Sequence, residues 1–280
     1  MSRVKAGTLQ EAGRRWRRKR EQEKAPSPGI AAVDRAIDIL LALYRHRQPL
    51  GVTEISRELG LYKSTVHRTL ATLQRRGFVQ KEAASDRYVL GMKLFTLGAL
   101  VKERTSLAQV AHPFMEQLAR WAKETVHLGV LDPDLDAPEN LIVLDKVETQ
   151  QVLTVTPRIG FGSSPHCSAM GKVLLAACPP DFVEEFVRRR GLPRRTPKTI
   201  TDLERLQQEL SQVRQQGYAV DDQEMELGLL CLGAPVYDAQ GRVVGAISVS
   251  GPVTRMEALG RETVAEKLRQ TAAAISAALS

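Results

Sequence analysis

Two stretches of the chain concentrate side chains able to do chemistry. "GLYKSTVHRTLATLQRRGFVQ", residues 60–80, sets Lys63, Ser64, Thr65, His67, Arg68, Arg75 and Arg76 among a sparse apolar set. Cations and short hydroxyls in one segment suit the grip of a polyanion. "GYAVDDQEMELGLLCLGAPVYDAQGRVVGAISVSGP", residues 217–252, carries Asp221, Asp222, Glu224 and Glu226, then the thiol of Cys231, then Ser248 and Ser250. Carboxylate, thiol and hydroxyls suit the lining of a small polar pocket.

In the first stretch the spacing predicts a helix over about 63–76, closed by Gly77. At 100° per residue Val66, Leu70 and Leu73 fall within about 60° of one another and form the packing face. Ser64, Arg68, Ala71 and Arg75 lie opposite, flanked by Thr65, His67 and Thr72. Small residues at the start let the backbone approach a base edge, and Arg68 can fork onto a guanine. Lys63, Arg75 and Arg76 suit phosphates. The alternative is an ordinary solvated helix face, and the neighbouring elements argue against it. A helix with Val33, Ile37, Leu40, Leu41 and Tyr44 at helical spacing comes first, then a short helix "VTEISREL" ended by Gly60, where a left-handed residue is easiest for glycine. "FVQKEAASDRYVL" follows as strand, turn, strand, with Arg87 either a phosphate or minor-groove contact or simply a ribbon charge, and Tyr88 as core. Helix, helix, turn, helix and ribbon is the order of a winged helix-turn-helix.

In the second stretch, period two puts Ser248 and Ser250 on one face of a strand, opposite Ile247 and Val249. A separate segment, "HCSAMGKVLLA", opens a helix with Ser168 as its cap. Free amides at Ala169, Met170 and Gly171 favour an anion there. A carboxylate at that helix end, with hydroxyls from Ser248 and Ser250, makes a coherent site for a small acid. Lys172 points roughly one turn inward and could be functional, with a solvated lysine as the default reading. "RIGFGSSPHC", residues 158–167, should form a pocket wall, with Phe161 or Met170 selecting between aliphatic and aromatic acids.

These pieces require a two-domain scaffold. Residues 1–29, with "RRWRRKREQEK" and "APSPG", read as a disordered basic arm, either a solvated tail or an added phosphate attraction. Residues 30–91 form the mostly α winged helix-turn-helix. Residues 92–106, with Leu94, Leu97 and Val101 along one side, form a linker helix. Residues 107–280 form an α+β domain with a mostly antiparallel sheet. Its strands are expected at "VHLGVLD", "NLIVLDKV", "QVLTVT", "LLCLGAPVYD" and "RVVGAISVSG", with the last pair turned by Ala239-Gln240-Gly241. Capping signals fall at Asp181 with Glu184, Thr201 with Glu204, and Thr254 with Glu257.

Charge divides along the same line. The 280 residues carry net +8, but residues 1–105 hold 22 Lys/Arg against 10 Asp/Glu, while residues 106–280 hold 18 against 22. A polyanion partner is therefore expected at the front end only. Three cysteines at irregular spacing show no disulfide or zinc-finger pattern and suit a reducing cytoplasm. No stretch approaches a membrane span and the N-terminus has no apolar signal core. Two other chemistries are weighed. His166–Cys167, or Cys231 with Asp221, carry the residue types of thiol catalysis, but chain neighbours rarely point together, and the reading is that the chain is not an enzyme. His127, His166, Cys167, Asp222 and Cys231 have ligand types that suit zinc and would make a metal-responsive regulator if they converged; otherwise no cofactor is expected.

"AVDRAIDILLAL", "TEISRELGLYKSTVHRTLATLQRRGFV" and "YVLGMKLFTLG" resemble the DNA-binding half of the IclR family of bacterial transcription regulators, and residues 217–252 resemble its effector domain. The likeness spans about residues 30–280 and implies a GAF-like sensor. It implies that a small organic acid is held by Ala169, Met170, Asp221, Cys231, Ser248 and Ser250. It also implies double-stranded DNA as partner, read as a palindrome by a homodimer, with tetramers as a further step.

Overall fold

The computed structural model describes residues 29–46, 48–104, 106–132, 141–149 and 162–279. The basic arm (except Gly29), the strand expected at "QVLTVT" and the wall residues 158–161 lie outside them. Among the described residues one compact unit runs to Arg104 and a second lies beyond it.

In the front unit, α1 (Ala31–Arg45), α2 (Val52–Leu59) and α3 (Lys63–Arg75) precede a ribbon of β1 (Val79–Lys81) and β2 (Tyr88–Leu90). The strands are antiparallel, Val79 opposite Leu90. Ile39, Leu43, Leu50, Ile55, Val66, Leu70, Val79 and Tyr88 make the core, with Leu73 packed at its edge. The face expected for α3 is thus the buried one. For α1 the expectation needs correction. Val33 and Ile37 are 50% and 49% exposed, and Ile39, Ala42 and Leu43 are the buried residues. Within this unit the partner elements cover only the last turns of α1, so its first turns keep their apolar side uncovered. The helix α4 (Met92–Arg104) likewise exposes Met92, Phe95, Leu97 and Leu100.

The back unit is built on a six-stranded sheet in the order β5-β4-β3-β8-β7-β6. The strands are β3 (Thr125–Leu131), β4 (Leu141–Val147), β5 (Gly162–Ser163), β6 (Ala219–Asp222), β7 (Leu229–Tyr237) and β8 (Val243–Pro252). Every pairing is antiparallel. One face carries Val126, Leu128, Leu232, Ala234, Ile247 and Val249 against α5 (Ser106–Ala122) and α10 (Arg261–Ala278). The other face meets α6 (Ala169–Ala176), α7 (Pro180–Arg190) and α8 (Leu203–Gln216) through Leu141, Val143, Ala219 and Ala246.

Helix starts differ from the sequence expectation by small shifts with clear causes. Pro179 takes the cap position of α7, leaving Asp181 in its first turn. Asp202, one residue past Thr201, caps α8 by accepting from the Arg205 amide at 2.8 Å. The last helix is two: α9 (Val253–Leu259) ends at Gly260 with φ +81°, and α10 begins at once, so Thr254 is inside α9 and caps nothing. The strand β6 was not foreseen, because "AVDD" has none of the β-branched or aromatic run that marks a strand.

Candidate functional site

The glycine between α2 and α3 does what its position requires. Gly60 has φ +64°, the left-handed region. The turn is closed by the Leu61 amide donating to the Ser56 carbonyl and the Ser56 hydroxyl donating to the Leu61 carbonyl. This sets α3 with Val66 and Leu70 inward. Lys63, Ser64, His67, Arg68, Arg75 and Arg76 stand exposed, and Thr65 is half-buried. Among the described residues, Lys63, Arg68, Arg75 and Arg76 have no ion-pair partner, whereas Arg45 and His46 share Glu58. The α3 cations are therefore available to an external anion. Arg87 is different. Its guanidinium forks onto Glu54 and its Nε donates to the Pro49 carbonyl at 2.8 Å. The residue ties the ribbon to α2, so the groove-contact role expected of it meets a side chain already committed inside the fold. Sequence reasoning passed over Tyr62, which sits at the start of α3 and is 84% exposed. An aromatic in a three-residue turn between helices was the available signal.

In the back unit the strand register lines up the polar residues. Thr125 lies opposite Ser250, Ser250 opposite Cys231, and Cys231 opposite Asp221. One step along, His127 lies opposite Ser248 and Ser248 opposite Gly233. Directly paired residues share a sheet face, so on the α6 side one polar row crosses four strands and a second, shorter one sets His127 beside Ser248 and ends at Gly233. All of them are buried: Thr125 and Asp221 to 1%, Ser248 to 2%, Ser250 to 6% and Cys231 to 7% exposure. Asp221 rather than Asp222 is on this face. Asp222 points away to Lys198 and Arg261, each at 3.2 Å.

The start of α6 closes over these rows. A Cβ on Gly233 would lie 2.8 Å from the Ala169 carbonyl carbon and 3.0 Å from the Met170 nitrogen, so only glycine admits the helix backbone there. Ala169 also packs with Cys231. The Ser168 side chain caps the helix by accepting from the Gly171 amide at 3.2 Å. That corrects the expectation of three free amides: Gly171 is taken, and among the described residues Ala169 and Met170 remain. Lys172 is a second correction. It is 1% exposed, with its amine 2.5 Å from Glu224 and 2.9 Å from Glu209. Burial opposes its charge, but the two carboxylates outweigh that and raise its pKa. A lysine in mid-helix looks solvated in a sequence because its partners are remote in the chain.

The electrostatics of these rows follow from burial. Desolvation lifts the Asp221 carboxyl to about 7, against the pull of the Glu224 and Met225 amides that donate to Oδ1 at 2.8 and 3.2 Å. A carboxyl half-protonated near neutrality can face an anion without full repulsion. Burial likewise pushes the Cys167 thiol to about 12 and the Cys231 thiol well above its ordinary value. His127 is depressed to about 4 by burial and by Lys146, so its ring is neutral. The residues weighed for zinc do not gather. His166 Nε2 faces the Pro193 carbonyl at 3.3 Å, and among the described residues no group of three His, Cys, Asp or Glu side chains is placed to hold a metal.

With this geometry in place, comparison with known proteins decides the family. Residues 99–277 match the family description "Bacterial transcriptional regulator IclR C-terminal", and residues 32–83 match "IclR helix-turn-helix domain". The chain belongs to the IclR family of bacterial transcriptional regulators. It is 36% identical over 255 residues to the HTH-type transcriptional regulator KdgR of Escherichia coli K12, covering 91% of this chain and 94% of that protein. It is 31% identical to the transcriptional repressor IclR of the same organism, covering 83% of this chain and 84% of the repressor. Among solved structures, an IclR homologue of Microbacterium hydrocarbonoxydans complexed with 4-hydroxybenzoate superposes with a TM-score of 0.75 at 26% identity, covering 89% of this chain and 98% of the homologue. This IclR-family chain is thus a DNA-binding transcription regulator with a winged helix-turn-helix unit and an effector-binding unit of antiparallel α+β fold. Among its described residues no helix is long and apolar enough to cross a membrane.

Proposed function

We propose that a homodimer of this chain reads a palindromic operator in the cytoplasm, with residues 30–91 on the DNA, residues 92–106 as the linker helix and residues 107–280 as the effector and oligomerisation domain. Ser64, Thr65 and Arg68 meet base edges or nearby phosphates. Lys63, His67, Arg75 and Arg76 meet the backbone. Support comes from α3, whose cations have no ion-pair partner among the described residues. One winged helix touches few bases, so two copies are needed for operator affinity. The exposed apolar side chains Phe95, Leu97 and Leu100 on α4 suit packing against a second copy.

The effector is a small organic acid bound between the start of α6 and the polar rows. Its carboxylate meets the Ala169 and Met170 amides. Ser248 and Ser250 donate their hydroxyls, and Asp221 and Cys231 complete the floor. The observation that carries this reading is the approach of the α6 backbone to Gly233, which brings a helix start, two hydroxyls and a protonatable carboxyl together. The 4-hydroxybenzoate held by the Microbacterium homologue is a ligand of the same class. Binding shifts the population of sensor arrangements and thereby the spacing of the two α3 helices. No catalysis is assigned. The raised pKa values of Cys167 and Cys231 leave both thiols protonated and weakly nucleophilic at neutral pH.

A thermal-shift screen with organic acids, 4-hydroxybenzoate and benzoate among them, tests the reading. A specific acid should raise Tm in a concentration-dependent way. The Ser248→Ala/Ser250→Ala double variant should lose that shift. A screen in which acids and neutral analogues act alike would discard the effector assignment.

A further inference from the structure

The polar rows on the α6 face leave one buried atom without a partner. His127 is 1% exposed, and its Nε2 has no hydrogen-bond partner among the described residues. Leaving such a group unpaired is costly, and native folds rarely do so without a use for it. The other unpaired buried atoms have different settings. Glu224 Oε2 belongs to a carboxylate already held through Oε1 by Lys172. His166 Nδ1 belongs to a ring whose second nitrogen faces the Pro193 carbonyl. His127 stands instead on the sheet face that α6 covers.

Its register fixes where it stands relative to the helix. His127 on β3 is opposite Ser248 on β8, and Ser248 is opposite Gly233 on β7, beneath the Ala169–Met170 backbone. Along this one row come an imidazole, a hydroxyl and the start of a helix. Strands lie about 4.8 Å apart, so His127 is roughly 10 Å from Gly233 across the sheet. A carboxylate at the helix start and a second polar atom near the imidazole would span the row. Burial, and after it the neighbouring Lys146, disfavours an imidazolium, so the ring offers a hydrogen bond and no charge. A hydroxyl satisfies Nε2 in either tautomer. A keto oxygen satisfies it when Nε2 carries the proton.

We infer that His127 is a specificity-determining contact for the far end of the effector, and that the site takes a small monocarboxylic acid with a hydroxyl or keto oxygen roughly three to five carbons from the carboxylate. The inference rests on the acid reading of the α6 site. It adds the requirement for a second oxygen and assigns the residue that reads it. An acid ending in a bare methyl would bury the imidazole nitrogen unpaired and bind more weakly.

Calorimetric titration of the full chain with matched acids tests it. The probes are 4-oxopentanoate and 5-hydroxypentanoate against pentanoate, and 6-hydroxyhexanoate against hexanoate. At least one oxygenated acid should bind about tenfold tighter than its parent or better. In His127→Phe that preference should vanish, while His127→Gln, which keeps a donor and an acceptor, should retain part of it. Binding of the acids with no preference for oxygen overturns this inference and leaves the acid reading standing. A preference of unchanged size in His127→Phe does the same. If none of these acids binds, this inference falls, and the thermal-shift screen with aromatic acids decides the acid reading separately. Should the phenylalanine variant not fold, His127→Gln decides: its preference should change at least threefold, and an unchanged preference overturns the assignment.

Discussion

The backbone of Ala169 passes so close above Gly233 that a Cβ there would sit 2.8 Å from the Ala169 carbonyl carbon and 2.9 Å from its oxygen. The obstacle is main chain, which a rotamer change cannot relieve. Gly233→Ala should therefore displace the start of α6 and cost about 1–3 kcal/mol of stability, as overpacking does. The loss of acid affinity should be larger than an equally destabilising core change causes elsewhere. Calorimetry beside Ile275→Val, a buried residue of α10 packed against the opposite face of the sheet, separates the two.

Lys172, Glu209 and Glu224 form a buried charged cluster that joins α6 to α8 and to the loop after β6. Lys172→Met removes the cation and leaves a buried carboxylate. A loss of about 3–5 kcal/mol is expected in chemical denaturation. Adding Glu224→Gln should recover a large part of it, because the stranded charge is then gone. A double variant as unstable as the single would show that packing of the lysine stem, not charge, holds the cluster.

On α3, Arg68→Ala should weaken specific operator binding by about 1–3 kcal/mol per half-site while the acid-dependent thermal shift remains. Lys63→Ala should weaken all DNA and reduce the salt slope by about 0.9 per copy. Arg87→Ala makes the opposite forecast. With its guanidinium on Glu54 and Pro49, its loss should lower the stability of the front unit modestly, by about 1 kcal/mol or less for a part-exposed pair. The salt slope should not change. Gel-shift titrations at several salt concentrations read all three.

Asp221 carries a pH prediction. Its folded-state pKa is raised to about 7 from an ordinary 3.8, with burial as the leading cause. The folded protein thus holds this proton more tightly than the unfolded chain. The stabilisation is fully present below about pH 4 and is lost as pH rises through 7. Asp221→Asn keeps an oxygen for the Glu224 and Met225 amides but cannot ionise. Its Tm should fall less between pH 4 and 8 than that of the unsubstituted protein. Acid affinity should also fall above pH 7 in the unsubstituted protein, as the carboxylate forms beside the ligand, and this fall should be absent in the variant. Parallel Tm curves in the two proteins would refute the assignment.

Local patterning was enough for much of the molecule. The 3.6-residue spacing of Val66, Leu70 and Leu73 sets which side of α3 is buried, and so which cations face outward. The alternation in "AISVS" puts Ser248 and Ser250 on one face. A serine before "AMGK" caps a helix whatever surrounds it. These are properties of a few adjacent residues, which is why they can be read from the chain alone.

Other features depend on residues far apart in the chain that meet only on folding. Whether Lys172 is solvated is decided by Glu209 and Glu224, which are 37 and 52 residues away. Arg87 is claimed by Glu54, 33 residues back. Val33 and Ile37 share the spacing of core residues, but among the described residues the front unit leaves them about half exposed. His127 looks like any strand histidine until the β3–β8 register sets it beside Ser248 on the sheet face that α6 covers. Residue type and period determined most of the elements and the buried faces of α3 and β8. Strand register and helix docking, which depend on the whole folded chain, decided which polar groups share one buried site and which of them was left with a bond to make.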